Sequence, residues 1–220
     1  AVCVGCAGGF NVIMTLKTPR AAAEGEVKRV VTLNNFCGGH SGCDIGLGRA
    51  NPLHVMGRLL KACCCPYRLV SVDCGTAHNA IPRKCVVGVA VPAEKAECFE
   101  KCMNKHWEEF VKEYHLIEKN ATMEIKECNC EKTPMTAEAT AKFVNFIIVY
   151  PFAVMRYSPS VKGDIETSTT LAIAHMKDDD TIEFTASTRS FAQSQLDMMY
   201  NKIRCICEMG GLTVSERYGA

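Results

Sequence analysis

The order of strand-like and helix-like segments is the feature that most constrains the fold of this chain of 220 residues. Residues 27–36 (VKRVVTLNNF) alternate and are rich in β-branched side chains, which is typical of a half-buried strand. After Asn51, a helix-capping residue, and Pro52, apolar residues recur at helical spacing. Further strands are predicted at residues 67–74, 84–91 and 122–128, and a long helix at residues 92–114. The order β, α, β, β, α, β is that of a split ferredoxin-like sandwich.

The second half of the chain repeats part of this order. The spacing predicts a helix at residues 136–149, strands at 167–177 and 181–189 around an acidic turn at Asp178–Asp180, a last helix ending at Gly210 and Gly211, and a short strand within 212–218. Residues 152–164 are expected to be irregular. The chain is therefore predicted to be α+β, an antiparallel sheet with helices on one face, with a βαββαβ first half and a related αββαβ second half.

Charge and hydropathy exclude two classes of partner. The formal net charge is +1 with both signs interspersed, so no basic stripe is offered to a nucleic acid. No apolar run approaches the roughly 20 residues that a membrane span needs. We therefore expect a soluble chain that binds neither nucleic acid nor membrane. Because the chain starts without Met and in the middle of a strand, we also expect it to be a piece of a longer protein.

The 15 cysteines are numerous and odd in number, so no disulfide scheme uses all of them. Cys63, Cys64 and Cys65 are adjacent, and only Cys3 and Cys6 have CxxC spacing. A structural zinc ribbon would need two such pairs. The favoured interpretation is incidental, partly buried thiols, and the alternative is a thiol-rich metal or redox protein.

Five polar residues are candidates for a functional site. His40 lies in a glycine-rich turn, from which its imidazole could donate to a developing oxyanion, coordinate a metal or simply be exposed. Asn79 lies in a loop between two strands, where an asparagine side chain commonly forms hydrogen bonds with the backbone of its own loop. Arg189 ends a strand and could grip a carboxylate, although an exposed arginine is the default. Glu166 and Thr167 precede a strand as either a cap or a site pair.

The motifs of a complete enzyme are absent from the sequence. GxSxG, HExxH and GxxxxGK[ST] do not occur, and no group of histidines and carboxylates has the spacing of metal ligands. The candidate residues are therefore predicted to bind a substrate or to stabilise a transition state. They provide neither a nucleophile nor a metal site.

Five motifs together resemble one family. They are GCAGG at 5–9, GGHSGCDI at 38–45 followed by LGRAN, GTAHNAIPR at 75–83, VKGDIETS at 161–168 and STRS at 187–190. Their order and intervals resemble those of aminoacyl-histidine dipeptidases, the cytosolic nonspecific dipeptidases of the peptidase D type within the dinuclear zinc peptidase superfamily. The chain is similar to the lid or dimerisation domain that interrupts the catalytic domain of these hydrolases.

The resemblance implies a role for each candidate residue. His40 matches a lid histidine that stabilises the tetrahedral oxyanion, and Asn79 matches an asparagine that contacts the same intermediate or the substrate. Arg189 matches an arginine that binds the C-terminal carboxylate of a dipeptide, with Glu166 and Thr167 as further substrate-binding residues.

The resemblance also implies the surroundings of the chain. Two zinc ions are expected outside it, so no metal ligand is expected within it. The expected partners are a dipeptide, the catalytic domain of the same polypeptide and a second subunit in a homodimer, in the cytoplasm. The division would be a connector at 1–26, a first lid subdomain at 27–134 and a second at 135–220. The alternative is a noncatalytic dimerisation or interaction module derived from such a lid.

The sequence departs from the family pattern at three positions. Gly46 replaces a histidine, and Leu53 and Thr170 replace asparagines. These changes predict a divergent or substrate-shifted member, whereas His40, Asn79 and Arg189 are intact.

Overall fold

The computed structural model describes residues 7–178 and 180–219. The helices are α1 (Pro52–Ala62), α2 (Ala96–Tyr114), α3 (Ala137–Val149) and α4 (Gln193–Gly210). The strands are β1 (Gly8–Lys17), β2 (Glu26–Asn34), β3 (Gly39–His40), β4 (Arg68–Cys74), β5 (Ala80–Ile81), β6 (Cys85–Pro92), β7 (Thr122–Glu127), β8 (Ala153–Tyr157), β9 (Ile165–Asp178), β10 (Thr181–Ser190) and β11 (Thr213–Val214). The CxxC pair Cys3 and Cys6 and residue 179 of the acidic turn lie outside the described residues.

The first half of the chain has the predicted ferredoxin-like topology. Strands β4, β6, β2 and β7 are antiparallel neighbours in that spatial order. Numbered along this half, the order is 2-3-1-4, in which two strand–helix–strand units interleave. The predicted α+β class with an antiparallel sheet is confirmed.

The second half is completed by a strand from the start of the chain. Strands β9, β10, β1 and β11 are antiparallel neighbours. Because β4 and β8 both pair with β9, nine of the described strands form one sheet. Taken as β1, α3, β9, β10, α4 and β11, the second unit is also βαββαβ. Residues 8–17 thus supply the first strand of the second unit, although they belong to the segment 1–26 that was expected to be a connector. Along the chain, the first unit stands between β1 and α3.

One local expectation was wrong. Residues 152–164 were expected to be irregular, but Ala153–Tyr157 forms β8 and pairs with the first part of β9. Because β4 pairs with β9 only at Ala174 and His175, the first part of that edge of β9 is free to pair with this short segment. No local pattern within residues 152–164 predicts this pairing.

The four helices of the described chain pack in a row, α2–α1–α3–α4, along the sheet. In β1 every second residue is buried beneath them, whereas the residues between are at least partly exposed. The aromatic ring of Phe184 in β10 lies 4.7 Å from that of Phe146 in α3, centroid to centroid. None of the described helices is long and apolar enough to cross a membrane.

Candidate functional site

The His40 loop connects β2 to α1 and is anchored on the 75–83 motif. Its short strand β3 pairs with β5, with His40 opposite Ala80. The Ser41 N–H donates to the backbone carbonyl of Asn79 over 2.9 Å. The structure therefore brings the His40 and Asn79 motifs side by side. The Asn79 side chain itself is half-buried.

Two glycines are required by the backbone of this loop. Gly38 has φ 58° and Gly39 has φ 138°, both in the region that favours glycine. A Cβ on Gly38 would overlap Cγ of Arg83, and one on Gly39 would overlap Nη1 of Arg49. The glycines thus allow two arginine side chains to cross closely over the backbone next to His40.

Asp44 and Arg49 hold the loop in shape. Asp44 Oδ2 accepts the His40 backbone N–H over 2.8 Å, while Arg49 Nη1 donates to the Gly38 carbonyl over 2.6 Å. The two side chains form an ion pair, with 3.3 Å between Arg49 Nη2 and Asp44 Oδ1. Both residues stand inside the motifs GGHSGCDI and LGRAN, yet their positioning role was not predicted.

A buried carboxylate, Glu118, closes the base of the loop. Its Oε2 accepts the Cys37 N–H over 2.8 Å and its Oε1 accepts the Ala50 N–H over 2.9 Å, so one side chain braces both ends of the loop. Burial and the hydrogen bond to Glu118 raise the pKa of the Cys37 thiol. No sequence signal pointed to Glu118, because it follows α2, far from the loop along the chain.

The tautomer of His40 follows from its hydrogen bonds. Its Nδ1 accepts the backbone N–H groups of Gly42 and Cys43, each over 3.2 Å. A ring nitrogen that accepts carries no proton, so the neutral imidazole carries its proton on Nε2. The side chain is exposed. His40 therefore presents one N–H donor to an external acceptor.

Arg189 lies close to His40 in space. A Cβ built on Gly42 would be 3.2 Å from His40 Cε1 and 3.3 Å from Arg189 Cδ, so the two side chains flank the same glycine. Arg189 Nε is buried and has no hydrogen-bond partner within the described ranges. The site thus places the N–H donor of the His40 imidazole beside the Arg189 guanidinium, whose Nε can still donate a hydrogen bond.

Two cavities open beside these side chains. One, of about 470 Å³, is lined by His40, Asp44, Arg83 and Lys84 together with residues of the 75–82 segment. The other, of about 340 Å³, is lined by Arg189, with His78 and Gly8–Asn11 among its neighbours. Asn79 is not among the residues that line either cavity. His78, which belongs to the same motif as Asn79, was not singled out from the sequence.

Glu166 and Thr167 differ in their surroundings. Glu166 Oε1 forms an ion pair with Arg156 Nη1 at 3.3 Å. Thr167 is fully buried, and its hydroxyl lies 2.9 Å from the Ser190 hydroxyl. As consecutive residues of β9, the two side chains point to opposite faces of the sheet. The structure therefore does not bring them together as a pair.

Of the three departures from the family pattern, Gly46 lies at an exposed position, whereas the other two lie in the interior. A Cβ on Gly46 would be 2.8 Å from Ile165 Cδ1, so Ile165 occupies the space that a larger side chain would need. Leu53 and Thr170 are both fully buried. The Thr170 hydroxyl has no hydrogen-bond partner in the described part of the chain.

A dinuclear zinc centre does not fit the described residues. Within residues 7–178 and 180–219, the one group of three or more potential ligands close enough to hold an ion is Cys64, Cys65 and Cys98. This set contains sulfur alone, without the imidazoles and carboxylates of a hydrolytic metal site.

Comparison with known proteins agrees with the motifs. Residues 31–117 match the peptidase dimerisation domain. Over 211 residues, 94% of this chain, the sequence is 30% identical to the cytosol non-specific dipeptidase of Escherichia coli K12, 43% of which is covered. The crystal structure of aminoacylhistidine dipeptidase from Vibrio alginolyticus matches with a TM-score of 0.91 and 30% identity, over 97% of this chain and 44% of that one.

The chain thus spans less than half the length of both relatives. The fold and sequence of this chain match the Vibrio alginolyticus enzyme over nearly the whole chain. The family model covers residues 31–117, which include His40 and Asn79 but not Arg189. The resemblance to the aminoacyl-histidine dipeptidases is therefore confirmed, and the chain carries the peptidase dimerisation domain of this dipeptidase family.

Proposed function

We propose that this chain is the lid of a metal-dependent dipeptidase and stabilises the oxyanion formed during peptide hydrolysis. The observation that carries the proposal is the hydrogen bonding of His40, whose Nδ1 is occupied by two backbone N–H groups. Its Nε2–H is left to donate to the carbonyl oxygen of the scissile bond as negative charge develops there. A fixed donor of this kind requires no reorganisation at the moment of reaction.

Arg189 would bind the C-terminal carboxylate of the dipeptide. Its buried, unpartnered Nε can pair with one carboxylate oxygen while a terminal nitrogen pairs with the other. Asn79 would contact the substrate or the same intermediate from the adjoining loop. Glu166 would act beside the substrate through its ion pair with Arg156, and Thr167 would support the site from the interior.

The remaining machinery would belong to other parts of the protein. We expect two zinc ions, bound outside this chain, in the catalytic domain of the same polypeptide. The substrates would be short peptides with a free carboxylate, such as aminoacyl-histidine dipeptides, because Arg189 accommodates that group. The isolated chain would be inactive, and the complete protein would work in the cytoplasm, as the name of the Escherichia coli relative states for that enzyme.

Mutation of His40 in the complete protein tests the oxyanion role. The full reading frame would be expressed with zinc and assayed for release of histidine from β-alanyl-histidine and from several ordinary dipeptides. His40→Ala should lower kcat by about 10²–10³-fold with zinc content unchanged. The matched control is His115→Ala, because His115 is also exposed but lies just after α2. Wild-type turnover in a folded His40→Ala protein would refute the proposal.

Substitution of Arg189 tests carboxylate binding. Arg189→Gln should raise KM for a dipeptide with a free C-terminus and leave the rate on its C-terminal amide nearly unchanged. The same substitution at Arg204, on α4, is the control. An equal loss on both substrates would mean that Arg189 supports the fold and does not recognise the carboxylate.

A second candidate is a noncatalytic module that only dimerises. It is favoured by the match to a peptidase dimerisation domain and by the position of β7 at one end of the described sheet, where one edge is unpaired. Sedimentation of the chain over a wide concentration range tests it. A monomer at all concentrations would remove its support, whereas a dimer combined with inactivity of the complete protein would favour it over the lid.

A further inference from the structure

A cluster of five cysteines joins the end of α1 to α2. Cys63, Cys64 and Cys65 follow α1 directly. Cys98 and Cys102 are four residues apart in α2, and residues at this spacing lie on one helix face. Their spacing along the chain matches no zinc ribbon, so these thiols were expected to be incidental. The packing of α1 against α2 brings the two groups together.

The sulfur atoms are close enough to share one ion. Those of Cys64, Cys65 and Cys98 all lie within 4.8 Å of one another. The Cys64 and Cys102 sulfurs are 3.9 Å apart, and those of Cys65 and Cys98 are 2.6 Å apart. In a tetrahedral zinc–thiolate site with bonds of about 2.3 Å, neighbouring sulfurs are about 3.8 Å apart. The Cys65 and Cys98 sulfurs would have to separate by about 1 Å.

The chemistry of the donors selects the kind of ion. The set is all sulfur, and soft thiolate ligands favour zinc and other soft ions over magnesium or calcium. Cys64 and Cys98 are exposed, which gives an ion a route of entry, whereas Cys65 is buried and fixes the inner side of the site. A disulfide between Cys65 and Cys98 would use only two of these thiols.

We propose that Cys64, Cys65 and Cys98 bind a single zinc ion, with Cys102 turning inward as the fourth ligand. The ion would crosslink the segment that directly follows α1 to the first turns of α2. Its role is structural, because a site closed by four protein ligands has no open position for a substrate. The His40 loop enters the opposite end of α1, and this helix of 11 residues is about 16 Å long. The site is thus separate from the proposed dipeptidase chemistry.

Cobalt binding to the chain itself tests this proposal. The protein would be reduced, stripped with a chelator and titrated with Co²⁺, whose thiolate complexes absorb strongly in the near ultraviolet. We expect one Co²⁺ per chain, displaced by one Zn²⁺ with loss of the absorption. Cys64→Ser and Cys98→Ser should each abolish stoichiometric binding, and Cys102→Ser should weaken it and reduce the thiolate band.

Two double variants control for the other thiols. Cys128→Ser with Cys130→Ser removes a pair outside the cluster, and Cys3→Ser with Cys6→Ser removes the CxxC pair. Both should bind one ion as the wild type does. Circular dichroism of each metal-free variant separates loss of a ligand from loss of the fold.

The results that would overturn the proposal are distinct. A reduced wild-type chain that binds no ion would do so, as would a folded Cys98→Ser protein that still binds one. A Cys65–Cys98 disulfide that persists under mild reduction, identified by mass spectrometry of the intact linked peptides, would show that these two cysteines form a covalent crosslink instead.

Discussion

Removal of the Glu118 carboxylate should destabilise the protein and loosen the His40 loop. In Glu118→Ala the N–H groups of Cys37 and Ala50 both lose their acceptor, at present 2.8 and 2.9 Å away. The buried Ala50 donor, left unsatisfied, costs about 1–3 kcal/mol and the part-buried Cys37 bond about 1 kcal/mol, so the free energy of unfolding should fall by about 2–4 kcal/mol. Glu118→Gln keeps one acceptor oxygen and should lose about half as much.

Urea denaturation followed by circular dichroism measures these changes. Glu108→Ala is the matched control, because Glu108 is an exposed glutamate on α2, and its loss should change stability by no more than about 0.5 kcal/mol. A second readout is the Cys37 thiol, whose pKa is raised partly by Glu118, so its alkylation should be faster in Glu118→Gln. If Glu118→Ala were as stable as Glu108→Ala, the bracing of both loop ends by one carboxylate would be refuted.

Three further predictions concern single residues. Gly39→Ala should cost about 1–3 kcal/mol in thermal unfolding, because φ is 138° and the new Cβ overlaps Arg49; an unchanged Tm would contradict this. Asn51→Ala removes the N-cap bond of α1 and a 2.8 Å bond to the Leu171 carbonyl, and should lower stability to urea by about 1–3 kcal/mol. Burial lowers the pKa of His54 from 6.5 to about 4, so stability should fall by up to about 3 kcal/mol as pH drops from 6.5 to 4, and His54→Phe should flatten this profile.

The sign of the His54 effect follows from proton binding. Between pH 6.5 and 4 the unfolded chain binds a proton at this residue and the folded chain does not, so acid favours unfolding. The contribution of the neutral imidazole is complete above pH 6.5. The folded side chain stacks on Phe152 with ring centroids 5.2 Å apart, which a phenylalanine can imitate. A profile equally steep in the variant would show that other groups dominate acid unfolding.

Local patterns predicted most of the secondary structure. The helix expected after Asn51 begins at Pro52, and the Asn51 side chain accepts the Leu53 N–H as predicted. The long helix buries Phe99, Met103 and Phe110 on one face because apolar residues three and four positions apart share a helix face. Such features depend on residues that are neighbours in the chain, which is why the sequence alone sufficed.

The candidate site was predicted in part. The glycines around His40 indicated a tight turn, and the structure shows why two of them are needed. Asp44 and Arg49 were within reach of sequence reasoning, since they stand in the quoted motifs. Glu118 was not, because a lone glutamate after a helix carries no periodic or motif signal. The roles of His40, Asn79 and Arg189 stay predictions.

The sequence by itself determined the α+β class, the position of most elements and the presentation of His40 by a glycine-rich loop, because burial periodicity and backbone freedom are local properties. Only the tertiary structure decided that β1 completes the second unit, that Arg189 lies beside His40 and that Cys64, Cys65 and Cys98 converge. Each of these depends on strand pairing and helix packing between distant segments. Contacts of that kind are fixed by the energy of the whole chain, and no single segment of the sequence specifies them.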